Sequence, residues 1–176
     1  MLVIESSLVS ESETGIVLAS GREAFFDWIE KKRVRVVDNG DYRKRWEEYG
    51  FDADGELARS SHSPWLGFSD IEVWVNEDAF RVGKKFFGDL IPLVVRHEAS
   101  ELWYIVNNWE RIPDRLMLHK AAHRRALGDE WIYAFELGKS EEYLNFLCKH
   151  SSWLPLPYGS LFRKENRRAC KKAKGK

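Results

Sequence analysis

Apolar positions are densest between Leu90 and Val106, where the only interruptions are Arg96, His97, Glu98, Ser100 and Glu101. A segment of that length and character predicts a buried helix. Gly88-Asp89 marks its start, with Asp89 as N-cap and Pro92 inside the first turn. Asn107-Asn108 ends it, and a short connection over 108–113 follows. Asp114 then caps a second helix running to about Leu137, with Gly138 as its C′ residue. Ser140 caps a last helix reaching about His150.

Upstream the pattern is shorter in period. Ile71-Glu72-Val73-Trp74-Val75 alternates as a half-buried strand does, and Asn76-Glu77-Asp78 ends it. Val34-Arg35-Val36-Val37 reads as a second strand, closed by a turn at Asp38-Asn39-Gly40-Asp41. Ser20-Gly21-Arg22-Glu23 has capping-box spacing, with Ser20 as N-cap of a helix through Ile29. Tyr42 to Tyr49 reads as a charged amphipathic helix, and residues 50–69, rich in Gly, Ser and Asp, as a loop. Leu2 to Val9 and Gly15 to Ala19 read as strands or loose packing segments. Trp153 to Tyr158, with its two prolines, is expected to be extended.

The 176 residues, 44% of them hydrophobic, suit one domain with a substantial core. The formal charge is zero but uneven: Arg163 to Lys176 holds eight Lys or Arg against one Glu. The expected organisation is a globular domain over 1–162 and a basic, disordered tail over 163–176. Cys148 and Cys170 form no CxxC pair and imply no disulfide framework. The first residues lack a basic lead-in of signal type, and no apolar stretch reaches spanning length. These features predict a cytoplasmic protein with no membrane partner.

The polar residues inside the apolar helix carry the chemical signal. His97 and Glu101 lie one turn apart on one face. A buried carboxylate needs a partner, because leaving it unpaired costs several kcal/mol. The second helix carries His119 and His123 one turn apart, with Glu130 near the same line and Ala122, Ala126 and Ala134 beside it. A short connection makes the two helices antiparallel neighbours. With the turn near residue 110, His97 falls level with position 124 and Glu101 with position 120. Two imidazole-bearing stripes therefore meet at one depth.

Zinc takes imidazole nitrogen and carboxylate oxygen, and catalytic sites keep three protein ligands plus water. His97, Glu101 and His123 would supply them, with one zinc per chain. Glu98, a quarter turn away, can face the water as general base. Glu130 would orient a ligand histidine from behind. His119 is the third ligand, a substrate-facing donor, or a fourth ligand that closes the site.

Over about residues 70–137, a strand followed by a helix carrying His97-Glu98-x-x-Glu101 resembles a minimal zincin metallopeptidase of the gluzincin type. Glu101 stands where the motif's second His is expected, and a downstream His stands where a Glu is expected. The resemblance implies an α+β fold, with a small, partly antiparallel sheet packed on the metal-bearing helical hairpin. It also implies a zinc-dependent hydrolase acting on a peptide or protein, with Glu98 as base. The strand over 71–75 would pair with the extended substrate.

Other readings compete. Arg96, Arg111 or Arg124 could pair with the buried carboxylates, leaving the histidines without a cation. A non-catalytic protein could hold a structural metal through His97, Glu101, His119 and His123, its basic tail contacting nucleic acid or an acidic partner. A dinuclear carboxylate site would recruit Glu98 and Glu130 as well. His62 reads as a loop residue.

Overall fold

The computed structural model describes residues 17–53, 56–62 and 68–150. The readings of Leu2 to Val9, of Trp153 to Tyr158, of the tail from Arg163 and of the domain boundary at 162 lie outside the described residues. Among the described residues the main elements follow in order: α1 (Arg22–Lys32), β1 (Val34–Val37), α2 (Asn39–Glu47), β2 (Ala58–Ser61), β3 (Glu72–Asn76), β4 (Arg81–Val82), β5 (Lys85–Phe86), α3 (Ile91–Asn108), α4 (Arg115–Glu136) and α5 (Ser140–His150). This is an α+β arrangement, mostly helical, with a small mixed sheet.

The sheet has the order β1-β3-β2. β1 runs parallel to β3, Val34 opposite Val73, and β2 runs antiparallel to it, Ser60 opposite Val73. β4 and β5 form a separate hairpin that the sequence pattern does not announce. Alternation along β3 does what period two requires. Val73 and Val75 are fully buried against α1 and α3, among Phe25, Ile29, Leu93 and Leu102. Trp74 faces the other way, onto Tyr42 and Trp46 of α2. The sheet is thus covered by α2 on one face and by α1 and α3 on the other.

α3 is buried almost all round, which explains its near-continuous apolar sequence. Each Leu or Ile so buried contributes about 1.5–3 kcal/mol. α4 contacts it through Leu118, Ala122, Ala126 and Ala134, spaced one turn or two apart, all with no exposed surface. Small side chains there let the two backbones approach. Pairs across the contact run in opposite senses (His97 with Glu130, Ser100 with Asp129, Glu101 with His123), so the helices are antiparallel.

Several boundaries differ from expectation, each for a local reason. Gly21, not Ser20, is the N-cap of α1; its φ of 99° suits glycine, and no side chain caps the helix. Val17 to Ala19 are helical rather than extended. The expected turn at Asp38 is the start of α2, because Asp38 Oδ1 accepts the Asp41 N–H at 2.9 Å as a true N-cap. Asp89 does not cap α3; a 3-10 turn over Gly88–Leu90 precedes it, and Asp89 pairs with Lys139. Asp114 caps α4 through Met117 N–H at 3.0 Å, and Gly138 (φ 66°) ends it, both as read from the sequence. Among the described residues no helix is long and apolar enough to cross a membrane.

Candidate metal centre

Three donor atoms converge between α3 and α4. His97 Nε2 lies 3.1 Å from Glu101 Oε1 and 3.2 Å from His123 Nδ1. His123 Nδ1 lies 2.5 Å from the same Glu101 oxygen. Donors held about 2.1 Å from a tetrahedral zinc stand about 3.4 Å apart. To hold such an ion, the two His97 edges would open by a few tenths of an ångström and the Glu101–His123 edge, now 2.5 Å, by about 0.9 Å.

The donors differ in depth. The side chains of His97 and Glu101 are 10% and 17% exposed, against 43% for His123. The group is closed on the α3 side and open towards solvent on the α4 side. Among the described residues this is the one group of three His, Cys, Asp or Glu whose donor atoms gather this closely.

The far nitrogen of His97 is fixed from behind. Nδ1 lies 2.7 Å from Glu130 Oε2, a buried contact. A carboxylate only accepts, so Nδ1 carries the hydrogen and Nε2 presents the opposite edge to Glu101 and His123. Glu130 is 4% exposed, and its other oxygen accepts the hydroxyl of Tyr143 from α5. Glu130 thus meets the His97 ring on the edge away from Glu101 and His123.

Electrostatics follow from this packing. Burial alone would push the His97 imidazolium down, but the carboxylates of Glu130 and Glu101 override it and hold the ring well above its ordinary value. Burial opposes ionisation of Glu101, yet hydrogen bonds from His123 and His97 and their charge pull its carboxyl down.

Glu98 is buried beside this group. Burial and the charge of Glu101 push its carboxyl up to about 7, opposed by His97 and by hydrogen bonds from the hydroxyl and backbone N–H of Ser60. Ser60 belongs to β2, which lies inside the segment read as a loop. Ala58-Arg59-Ser60-Ser61 has no apolar alternation, so hydropathy gave no signal for it. Behind Glu98, Tyr42 donates to Glu56 at 3.2 Å and Arg59 clasps Glu56 through two nitrogens.

His119 does not join the three donors, as a third or fourth ligand would have to. The ring lies outside the three-donor group and is exposed, 5.9 Å from His62 between centroids. The reason is register. Glu101 meets His123, not position 120, so the wider connection moves the facing level about one turn along α4. His62 stacks on Phe68, and its Nδ1 is buried without a hydrogen-bond partner. Burial and the neighbouring His119 lower its pKa.

Three further readings are corrected. β3 is the central strand, flanked by β1 and β2, so it has no free edge for a substrate; among the described residues β2 is the edge strand nearest Glu98. Arg96 turns away from the buried carboxylates, reaching Glu23 at 3.0 Å and stacking 4.1 Å over Phe26. Both oxygens of Glu130 are taken behind the His97 ring, which removes it from the donor face that a dinuclear site would need. No protein-family model, curated protein or solved structure matches this chain.

Proposed function

We propose that the chain is a zinc-dependent hydrolase of metallopeptidase-like, zincin-like type, binding one zinc ion through His97, Glu101 and His123. The observation that carries this reading is the donor triangle, with Nε2 of His97 aimed into it by a buried carboxylate on Nδ1. Imidazole and carboxylate donors in this ratio suit zinc, and outer carboxylates of the Glu130 kind make a ligating imidazole more basic.

Three protein donors and an open side fit a catalytic site better than a closed structural one. Zinc held there supplies a Lewis acid that polarises a carbonyl and brings the pKa of water towards about 7. The chain's own residues supply the rest. Glu98, beside the donors and steadied by Ser60, accepts the proton of the attacking water and returns it to the leaving amine. Among the described residues β2 is the sheet edge on that side, the strand that would be available to an extended peptide.

The test is elemental analysis of purified full-length protein, followed by turnover of unstructured protein and peptide substrates. One zinc per chain is expected, lost in His97→Ala, Glu101→Ala and His123→Ala. Glu98→Gln is expected to keep its zinc while turnover falls about 100-fold or more. Wild-type protein that takes up no zinc overturns the reading. Zinc loss in Glu98→Gln makes Glu98 a ligand and overturns its role as base.

A further inference from the structure

The donor triangle is tied to an element that contributes no donor. Tyr143, in α5, gives its hydroxyl to Glu130 Oε1, and Glu130 Oε2 accepts Nδ1–H of His97 at 2.7 Å. The chain Tyr143–Glu130–His97 links three helices, and all three side chains are buried. Water cannot stand in for a missing partner at that depth, so each member depends on the next.

The tyrosine ring is itself held. It packs 5.7 Å from Trp131 and 6.4 Å from Phe146, between centroids. The carboxylate of Glu130 thus has one oxygen set by α5 and the other set against the site. Removing the hydroxyl frees the carboxylate to rotate and leaves Oε1 buried without its donor.

We propose that Tyr143 is a positioning residue that sets the metal affinity of the site through Glu130 and His97, making α5 docking and metal occupancy one coupled equilibrium. This rests on the zinc reading above. Coupling between two events is reciprocal. A docked α5 orients His97 for the ion, and a bound ion therefore holds α5 in place. Zinc binding should protect the α5 amides, which lie outside the site itself.

The test uses the full-length protein and zinc alone, with affinity read by competition against a chromophoric chelator. Tyr143→Phe keeps the ring and removes the hydroxyl. Its zinc affinity is expected to fall about 10- to 100-fold, as for other outer-shell partners. The visible spectrum of the cobalt-substituted protein is expected to change with it, which loss of packing alone would not cause. Leu147→Val is the control: it trims a buried side chain of the same helix that carries no group to bond Glu130 and should leave affinity unchanged. Hydrogen exchange of residues 140–149 is expected to slow on zinc addition in wild type and not in Tyr143→Phe. Tight wild-type binding matched by Tyr143→Phe overturns the inference alone. Equal weakening in Leu147→Val and Tyr143→Phe makes Tyr143 a packing residue and also overturns it. No zinc uptake by wild type overturns the metal reading and this inference together.

Discussion

Ser100 Oγ on α3 donates to Asp129 Oδ2 on α4 at 2.5 Å, and Arg22 from α1 closes on the same oxygen at 2.7 Å. One residue beyond Asp129, Glu130 reaches His97. The crossing of the two helices is therefore pinned by one polar contact immediately beside the one that orients the site. Asp129→Ala would strand a buried hydroxyl and a partly buried guanidinium. It should cost about 2–3 kcal/mol, and Ser100→Ala, which leaves Asp129 its arginine, about 1 kcal/mol. Urea unfolding of the two variants checks the order. Equal losses would mean that Arg22 contributes nothing.

Metal removal should be visible as lost stability. At free zinc about a thousandfold above the dissociation constant, binding adds about 4 kcal/mol. For a chain of this size the melting temperature should rise by about 10 °C. Chelator should reverse the rise, and His123→Ala should show none of it. A chelator-insensitive melting curve in wild type would contradict zinc uptake by the folded state.

Ser60 offers a finer test of Glu98. Ser60→Ala removes a hydroxyl that faces the Glu98 carboxylate and leaves the backbone N–H in place. Zinc content should stay at one per chain, kcat should fall about tenfold, and KM should change little. A loss of zinc instead would show that β2 supports the donors rather than the base.

The start of α5 carries a prediction about pH. Lys139 bridges Asp89 and Glu142, and Lys85 meets Glu142 at 3.1 Å. Hydrogen bonds from Lys139 hold the carboxyls of Asp89 and Glu142 below their ordinary values of 3.8 and 4.5, and hydrogen bonds to Asp89 and Glu142 raise Lys139 above 10.5. Depressed carboxyls stabilise the fold above their unfolded pKa and lose that effect as pH falls through the folded value. The raised lysine acts in the opposite sense, stabilising below 10.5 and losing that as pH rises through its folded pKa. Lys139→Met should therefore be less stable than wild type in mid-range pH, with the difference vanishing in acid. High salt should shrink it too, since these groups face solvent. Melting curves at several pH values and salt concentrations read both effects.

The parts of this fold legible from sequence are those with local causes. Leu90 to Val106 could only be a buried helix, and Asp114 and Gly138 mark the ends of α4 by their own chemistry. His97, Glu101 and His123 were readable because helical spacing and a short connection fix which faces meet. Asp38 misled because the residues that make a turn also make an N-cap. Choosing between His119 and His123 required the hairpin register, which depends on the path of residues 109–114. β2 was invisible because Ala58 to Ser61 owe their strand to pairing with β3 and to Ser60 meeting Glu98. Tyr143 had no spacing relation to the motif, since it arrives from a separate helix.

The parallel pairing of β1 with β3 decides the order in which this molecule assembles. α3 and α4 meet across a brief connection, whereas Val34 must find Val73 with α2 and β2 strung between them. Distant pairings pay their loop entropy late, so the nucleus forms in the hairpin and the sheet condenses on it. Substitutions at Ala122 or Ala126 should then slow refolding, and those at Val34 or Val36 should chiefly hasten unfolding. His97, Glu101 and His123 would come together early in that sequence, and Glu98 would meet Ser60 only when the last strands dock.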